Sequence, residues 1–168
     1  MAQLIKHGIA TTDSWHILEL AEGEAPETVT LPDGDVIFPL AVWQARKDEI
    51  VSRPTIGLLL QPADRVEDVA GELASFNLIA VNFPKFVDGR GYSTAALLRQ
   101  RYGYTGELRA VGDVLHDQLF FMRRVGFDSY ALKDGKNLPY AIEAAFKPFG
   151  DAYQGATDQA QPHFRRRA

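Results

Sequence analysis

Cysteine is missing from all 168 residues. That excludes disulfides, thiolate catalysis and cysteine-held iron–sulfur clusters on this chain. No run of about 18 apolar residues occurs, so the pattern contains no membrane-spanning helix. The opening stretch MAQLIKHGIATTDSW has neither a long apolar segment nor a small-residue cleavage site. Export is therefore not expected, and a cytoplasmic setting is. His7, His16, His116 and His163 show no short ligand spacing, so no metal site is named. There is no Walker A pattern and no dinucleotide fingerprint. Ser93, within GRGYS, lacks the GxSxG elbow of a hydrolase nucleophile. No cofactor follows from these residues.

What is present is an ordinary globular composition, 46% hydrophobic, with a net charge of −4. The charge is unevenly spread. Residues 1–84 hold 13 acids and 5 bases, and residues 85–168 hold 9 acids and 13 bases. The basic half is suited to anions, to an acidic partner, or to the acidic half of the same chain; a merely solvated surface is the plain alternative. Overall acidity argues against nucleic acid as a partner.

Three regions follow from the pattern. Residues 1–54 read as a β-rich segment with a helix. Leu4–Lys6, Trp15–Leu20, a stretch from Thr28 and Val36–Phe38 are its strand candidates, and Leu40–Val51 is the helix. From residue 55 to 150 the chain reads as four consecutive βα units. Ile56–Leu60 is a compact apolar run of the kind buried on both faces of a parallel sheet. A helix from Asp64, with Val66, Val69, Ala70 and Leu73 on one face, follows it. Leu78–Phe83 is the second strand, with a helix capped by Ser93 or Thr94 behind it. Glu107–Val111 is the third strand, with a helix capped by Asp113. Ser129–Leu132 is the fourth strand, with a helix over Tyr140–Lys147. Right-handed crossovers make this a parallel sheet, either an open three-layer sheet or a half-barrel. A half-barrel needs its strand edges covered, by the N-terminal β segment or by a second copy of the chain, that is, a homodimer. Residues 151–168 are polar and are expected to be a mobile tail.

The chain is organised around Leu78–Phe127. Polar groups follow each strand there, and in a parallel sheet such loops emerge on one edge, where ligand sites lie. In the loop after Phe83, Gly89 and Gly91 allow close backbone approach. Lys85 and Arg90 supply positive charge, and Tyr92 and Ser93 sit beside them, so these residues with Arg109 form the candidate site for a small anion. Asp88 and Asp113 are the candidate acid or base. A purely structural alternative has Asp88 and Arg90 bridging one another to shape the loop. Arg109, inside a strand, needs a carboxylate partner whether its role is structure or binding.

The segments VNFPKFVDGRGYS, LLRQRYGYTGELRAVGDVLHDQL and MRRVGFD carry a resemblance. From about Val36 to Leu132 the chain resembles a family of small proteobacterial proteins filed as a domain of unknown function. Its members are labelled "probable oxidoreductase" and are encoded beside assimilatory sulfite reductase. The matching positions are Lys85, Asp88, Gly89, Arg90, Gly91, Ser93, Arg99, Glu107, Arg109, Gly112, Asp113, Asp117, Gln118 and Arg123. The resemblance implies a role in assimilatory sulfate and sulfite reduction, with sulfite reductase as candidate partner. Two functions are open on that basis: an accessory binding protein, or a small enzyme acting on an anion at the same edge. The missing cysteine and nucleotide motif argue against a free-standing oxidoreductase.

Overall fold

The computed structural model describes residues 3–133, 138–146 and 152–166. Eight strands form one sheet: β1 (Gln3–Lys6), β2 (Ile9–Thr12), β3 (His16–Ile17), β4 (Val36–Pro39), β5 (Gly57–Leu60), β6 (Leu78–Phe83), β7 (Glu107–Gly112) and β8 (Ser129–Tyr130). Their spatial order is β2-β1-β8-β7-β6-β5-β4-β3. From β3 to β8 all pairs are parallel, and sequence neighbours are spatial neighbours. The β1–β2 hairpin adds antiparallel to β8. An order that never reverses keeps every right-handed crossover on one face, which is barrel winding. The sheet is accordingly a curled half-barrel, the second of the two architectures expected.

The curl has a simple cause. β2 and β3 lie at opposite edges of the sheet, yet only Asp13, Ser14 and Trp15 join them. Four Cα steps reach about 14 Å at most. Seven strand spacings laid flat would need about 34 Å. A sheet holding both ends of this strap must therefore bend. The strap crosses the inner face. Asp13 pairs with Arg109 of β7, and the Trp15 ring lies against Gly57 of β5, where an added Cβ would meet it at 3.0 Å. Asp35 fixes the far end by accepting from Ser14 Oγ at 2.8 Å and Thr55 Oγ1 at 2.7 Å. These bonds, Thr55 first, hold its carboxyl below the usual range.

Strand alternation divides the core in two. Phe38, Leu58, Leu60, Ile79, Val81, Leu108 and Ala110 point outward. They are covered by helices α1 (Leu40–Ile50), α2 (Arg90–Ala96), α3 (Leu119–Val125) and α4 (Leu138–Phe146). Ile37, Leu59, Leu78, Ala80 and Val111 point inward and form a smaller cluster with Trp15. Several boundaries differ from expectation. The helix expected from Asp64 is a pair of 3₁₀ turns, Val66–Val69 and Leu73–Ser75. The Asp64 carboxylate is spent on the Gln61 N–H (2.7 Å), upstream of any helix. Helix α2 starts at Arg90, so Ser93 and Thr94 lie inside it. It ends in a π turn, Leu97–Arg101, closed by Tyr102 N–H to Leu97 O. Among the described residues Asp113 caps no helix; the turn His116–Gln118 is capped by the Gln118 side chain on Leu115 N–H (2.9 Å). Around Thr28 the chain makes a turn rather than a strand. Strand β2 falls where none was expected. Of the expected helix Tyr140–Lys147, Lys147 lies outside the described residues. In the polar tail, a short helix α5 spans His163–Arg166, and Asp158 pairs with Arg124 of α3 at 3.3 Å.

Candidate functional site

The loop from β6 to α2 stands at the C-terminal edge of the parallel strands. Asp88 accepts from Arg90 three times: from its backbone N–H (3.2 Å), Nε (3.0 Å) and Nη2 (2.7 Å). The ion pair lowers the Asp88 carboxyl below its ordinary range, the Arg90 side-chain hydrogen bonds being the chief cause. An i, i+2 pair of this kind shapes the entrance to α2. Gly91 is required by packing. A Cβ there would sit 2.6 Å from the Phe83 ring, so α2 rests directly on the strand end. Tyr92 stacks edge-on to Phe83 at 5.4 Å, and burial pushes its hydroxyl up. Lys85, Phe86, Val87 and Ser93 are exposed. So is the Arg90 guanidinium, whose side chain is 63% accessible.

Asp113 follows β7 and braces the same loop. Its Oδ2 accepts from the Phe86 N–H at 3.2 Å, and its Oδ1 pairs with Lys133 at 3.0 Å. Its own N–H donates to Phe83 O at 2.6 Å. Lys85, Asp88, Gly89, Arg90, Gly91, Tyr92, Ser93 and Asp113 thus share one edge.

Arg109 does not. It is the third residue of β7, level with Ala80 and Ser129, about 10 Å below the strand ends. It faces the inner side, is 3% exposed, and makes four hydrogen bonds to two carboxylates. Nη1 donates to both Asp13 oxygens at 2.9 Å, and Nε and Nη2 donate to Glu107 Oε1 at 3.0 and 2.7 Å. Glu107 also accepts from Lys6 (2.5 Å) and Ser129 (2.7 Å). Burial pushes the Glu107 carboxyl up, but these partners and the Arg109 charge outweigh it, and the net shift is downward. Here the need for a carboxylate partner is met by structure.

A family model described as a bacterial protein of unknown function, DUF934, matches residues 57–164. The chain belongs to the DUF934 family. No curated protein and no solved structure matches it. The DUF934 region opens at Gly57, the first residue of β5, so β6, β7 and the loop between them lie inside it while Asp13 lies outside.

Another DUF934 position singled out from the sequence, Arg99, serves the opposite end of the barrel wall. Arg99 donates to the carbonyls of Tyr104 (2.6 Å), Gly106 (2.9 Å) and Gly126 (2.9 Å), and to Asp128 (2.9 Å). It ties the turns before β7 and β8 together. Gln118 lies instead at the strand C-terminal edge, buried in the turn between β7 and α3. Among the described residues, no three His, Asp or Glu side chains gather as a metal site. No described helix is long and apolar enough to cross a membrane.

The DUF934 sheet has a second feature at the same edge, on its inner side. A cavity of about 590 Å³ opens where β4, β5, β6 and β7 end, and Gln61, Asn82 and Gly112 line it. None of the charged residues expected to bind an anion reaches it. Gln61 and Asn82 carried no sequence signal beyond being polar residues at the ends of apolar strands.

Proposed function

We propose that the protein is an accessory binding protein of assimilatory sulfite reduction, and that it docks on its partner, sulfite reductase being the first candidate, through the tip of the β6–α2 loop. The observation behind the docking surface is the exposure of Phe86 (47%) and Val87 (85%) on that tip. Lys85 and Arg90 flank them, and Asp88 and Asp113 brace the loop from below. An apolar centre with a cationic rim on a braced loop suits a protein interface. The metabolic setting rests on the resemblance carried by VNFPKFVDGRGYS and the two segments after it.

A small enzyme acting on an anion at the same edge is the second reading, and the exposed Arg90 guanidinium favours it. It has less support. Arg90 keeps Asp88 ionised, which unsuits it as a general acid. Asp113 is committed to Phe86 and Lys133.

The test is affinity purification of the tagged chain from cells growing on sulfate, beside Val87→Asp and Arg90→Ala. Sulfite reductase should be recovered in near-stoichiometric amount with the wild type and lost with Val87→Asp. Recovery of the chain alone under gentle salt would refute docking and move the weight to the enzyme.

A further inference from the structure

The cavity on the inner side of the half-barrel differs in chemistry from the loop outside it. Its floor is Leu59, Pro39 and Val111, and one wall is Ile17, Leu18 and Leu20 from the chain around β3. Below that floor the inner cluster and Trp15 close the barrel, so the opening is at the strand C-terminal ends. Ligand sites of parallel sheets lie there, and the volume is in the range of small-molecule pockets.

Its uncharged polar side chains are two amides. Asn82 Nδ2 donates to Gln61 Oε1 at 2.8 Å. That leaves Gln61 Nε2 as a donor and Asn82 Oδ1 as an acceptor, neither engaged by another described residue. If both amides were turned over, the surplus would still be one NH₂ and one oxygen. Gly112 contributes by its conformation. Its φ of 95° suits glycine, and a Cβ there would collide with Asn82 Oδ1 and Phe83 O. The glycine leaves room for the Asn82 amide at the lip.

Among the described residues, Glu19 is the one ionisable side chain in the lining, with no Lys, Arg or His beside it. A bound anion would find no countercharge and one carboxylate. We propose that this cavity binds a small carboxamide-type molecule: an apolar body, one head that both donates and accepts hydrogen bonds, and no negative charge. The site is separate from the loop tip and stands or falls independently of docking there.

The experiment uses the full ¹⁵N-labelled chain, with benzamide as probe and benzoate as its anionic counterpart of nearly the same shape. Benzamide should shift the side-chain amide signals of Gln61 and Asn82 and the Gly112 N–H, with a dissociation constant of about 1 mM. Benzoate should bind at least about tenfold more weakly. Gln61→Leu, at an exposed position, and Asn82→Leu should each weaken benzamide about five- to tenfold, their spectra elsewhere reporting an intact fold. Four results would overturn the proposal. They are no shift at about 20 mM benzamide, equal binding of benzoate, shifts confined to the Lys85–Arg90 loop, or unchanged affinity in a folded Gln61→Leu variant.

Discussion

Replacing Arg109 by methionine keeps most of the side-chain volume and removes one charge from the inner face of the sheet. Arg109 donates four hydrogen bonds, two to Asp13 and two to Glu107. Breaking a buried ion pair from one side costs about 3–5 kcal/mol, because the abandoned charge stays buried. Two features favour the lower figure. Lys6 still faces Glu107, and the Asp13 side chain, 12% exposed, can draw in water. A loss of about 3 kcal/mol is expected, out of a typical total of about 5–15. With a urea slope near 2 kcal/mol/M, the unfolding midpoint should fall by about 1.5 M. Asp13→Asn alone should cost less, since Arg109 keeps Glu107. The double variant should be more stable than the sum of the two losses by at least about 1 kcal/mol. A loss in Arg109→Met below about 1 kcal/mol, or strict additivity with Asp13→Asn, would refute the view that the strap is held by this pair.

Two further outcomes follow from the packing and the charges. Gly91→Ala drives a methyl into the Phe83 ring, 2.6 Å away. Overpacking of about 1–3 kcal/mol exceeds the helix-propensity gain of about 1, and a thermal melt should fall by several degrees, while Gly89→Ala, with open space around its Cβ, should be nearly neutral. Glu107 has a lowered carboxyl pKa, so its stabilising effect is present above its unfolded value, near 4.5, and is lost as pH falls through the folded one. Urea midpoints of the wild type should therefore drop below about pH 4.5, and Glu107→Gln should show a shallower drop over the same range.

The central strands were legible because their apolar runs are continuous. Leu78–Phe83 is a strand over that span, as read, and the βα rhythm around it pointed to a parallel sheet. Strand β2 was hidden because it is short and exposed throughout, with Ile9 68% accessible. Its turn, at His7 (φ 49°) and Gly8 (φ 78°), lacks the usual Asn or Asp. The start of α2 was read too late, because Asp88, Gly89 and Arg90 resembled a ligand loop more than a helix entrance. Arg109 was rightly seen to need a carboxylate, but one of the two lies 96 residues away. No local pattern reveals a partner that depends on how the sheet curls. The same holds for Gln61 and Asn82, which meet only because β5 and β6 end side by side.

The edge pairing of the first strand has a consequence for how the chain is made. Ile5 of β1 pairs with Tyr130 of β8, some 125 residues later. At a synthesis rate of about 5–20 residues per second, β1 waits roughly 6–25 s before its partner has been translated. Through that interval the β1–β2 hairpin is a lone two-stranded ribbon, too small to be stable by itself. The barrel wall from β4 to β7 can assemble meanwhile, but its β7 edge stays open until β8 arrives. Strand β1 is thus made before its partner by the length of the whole wall, and is among the last strands to find its place.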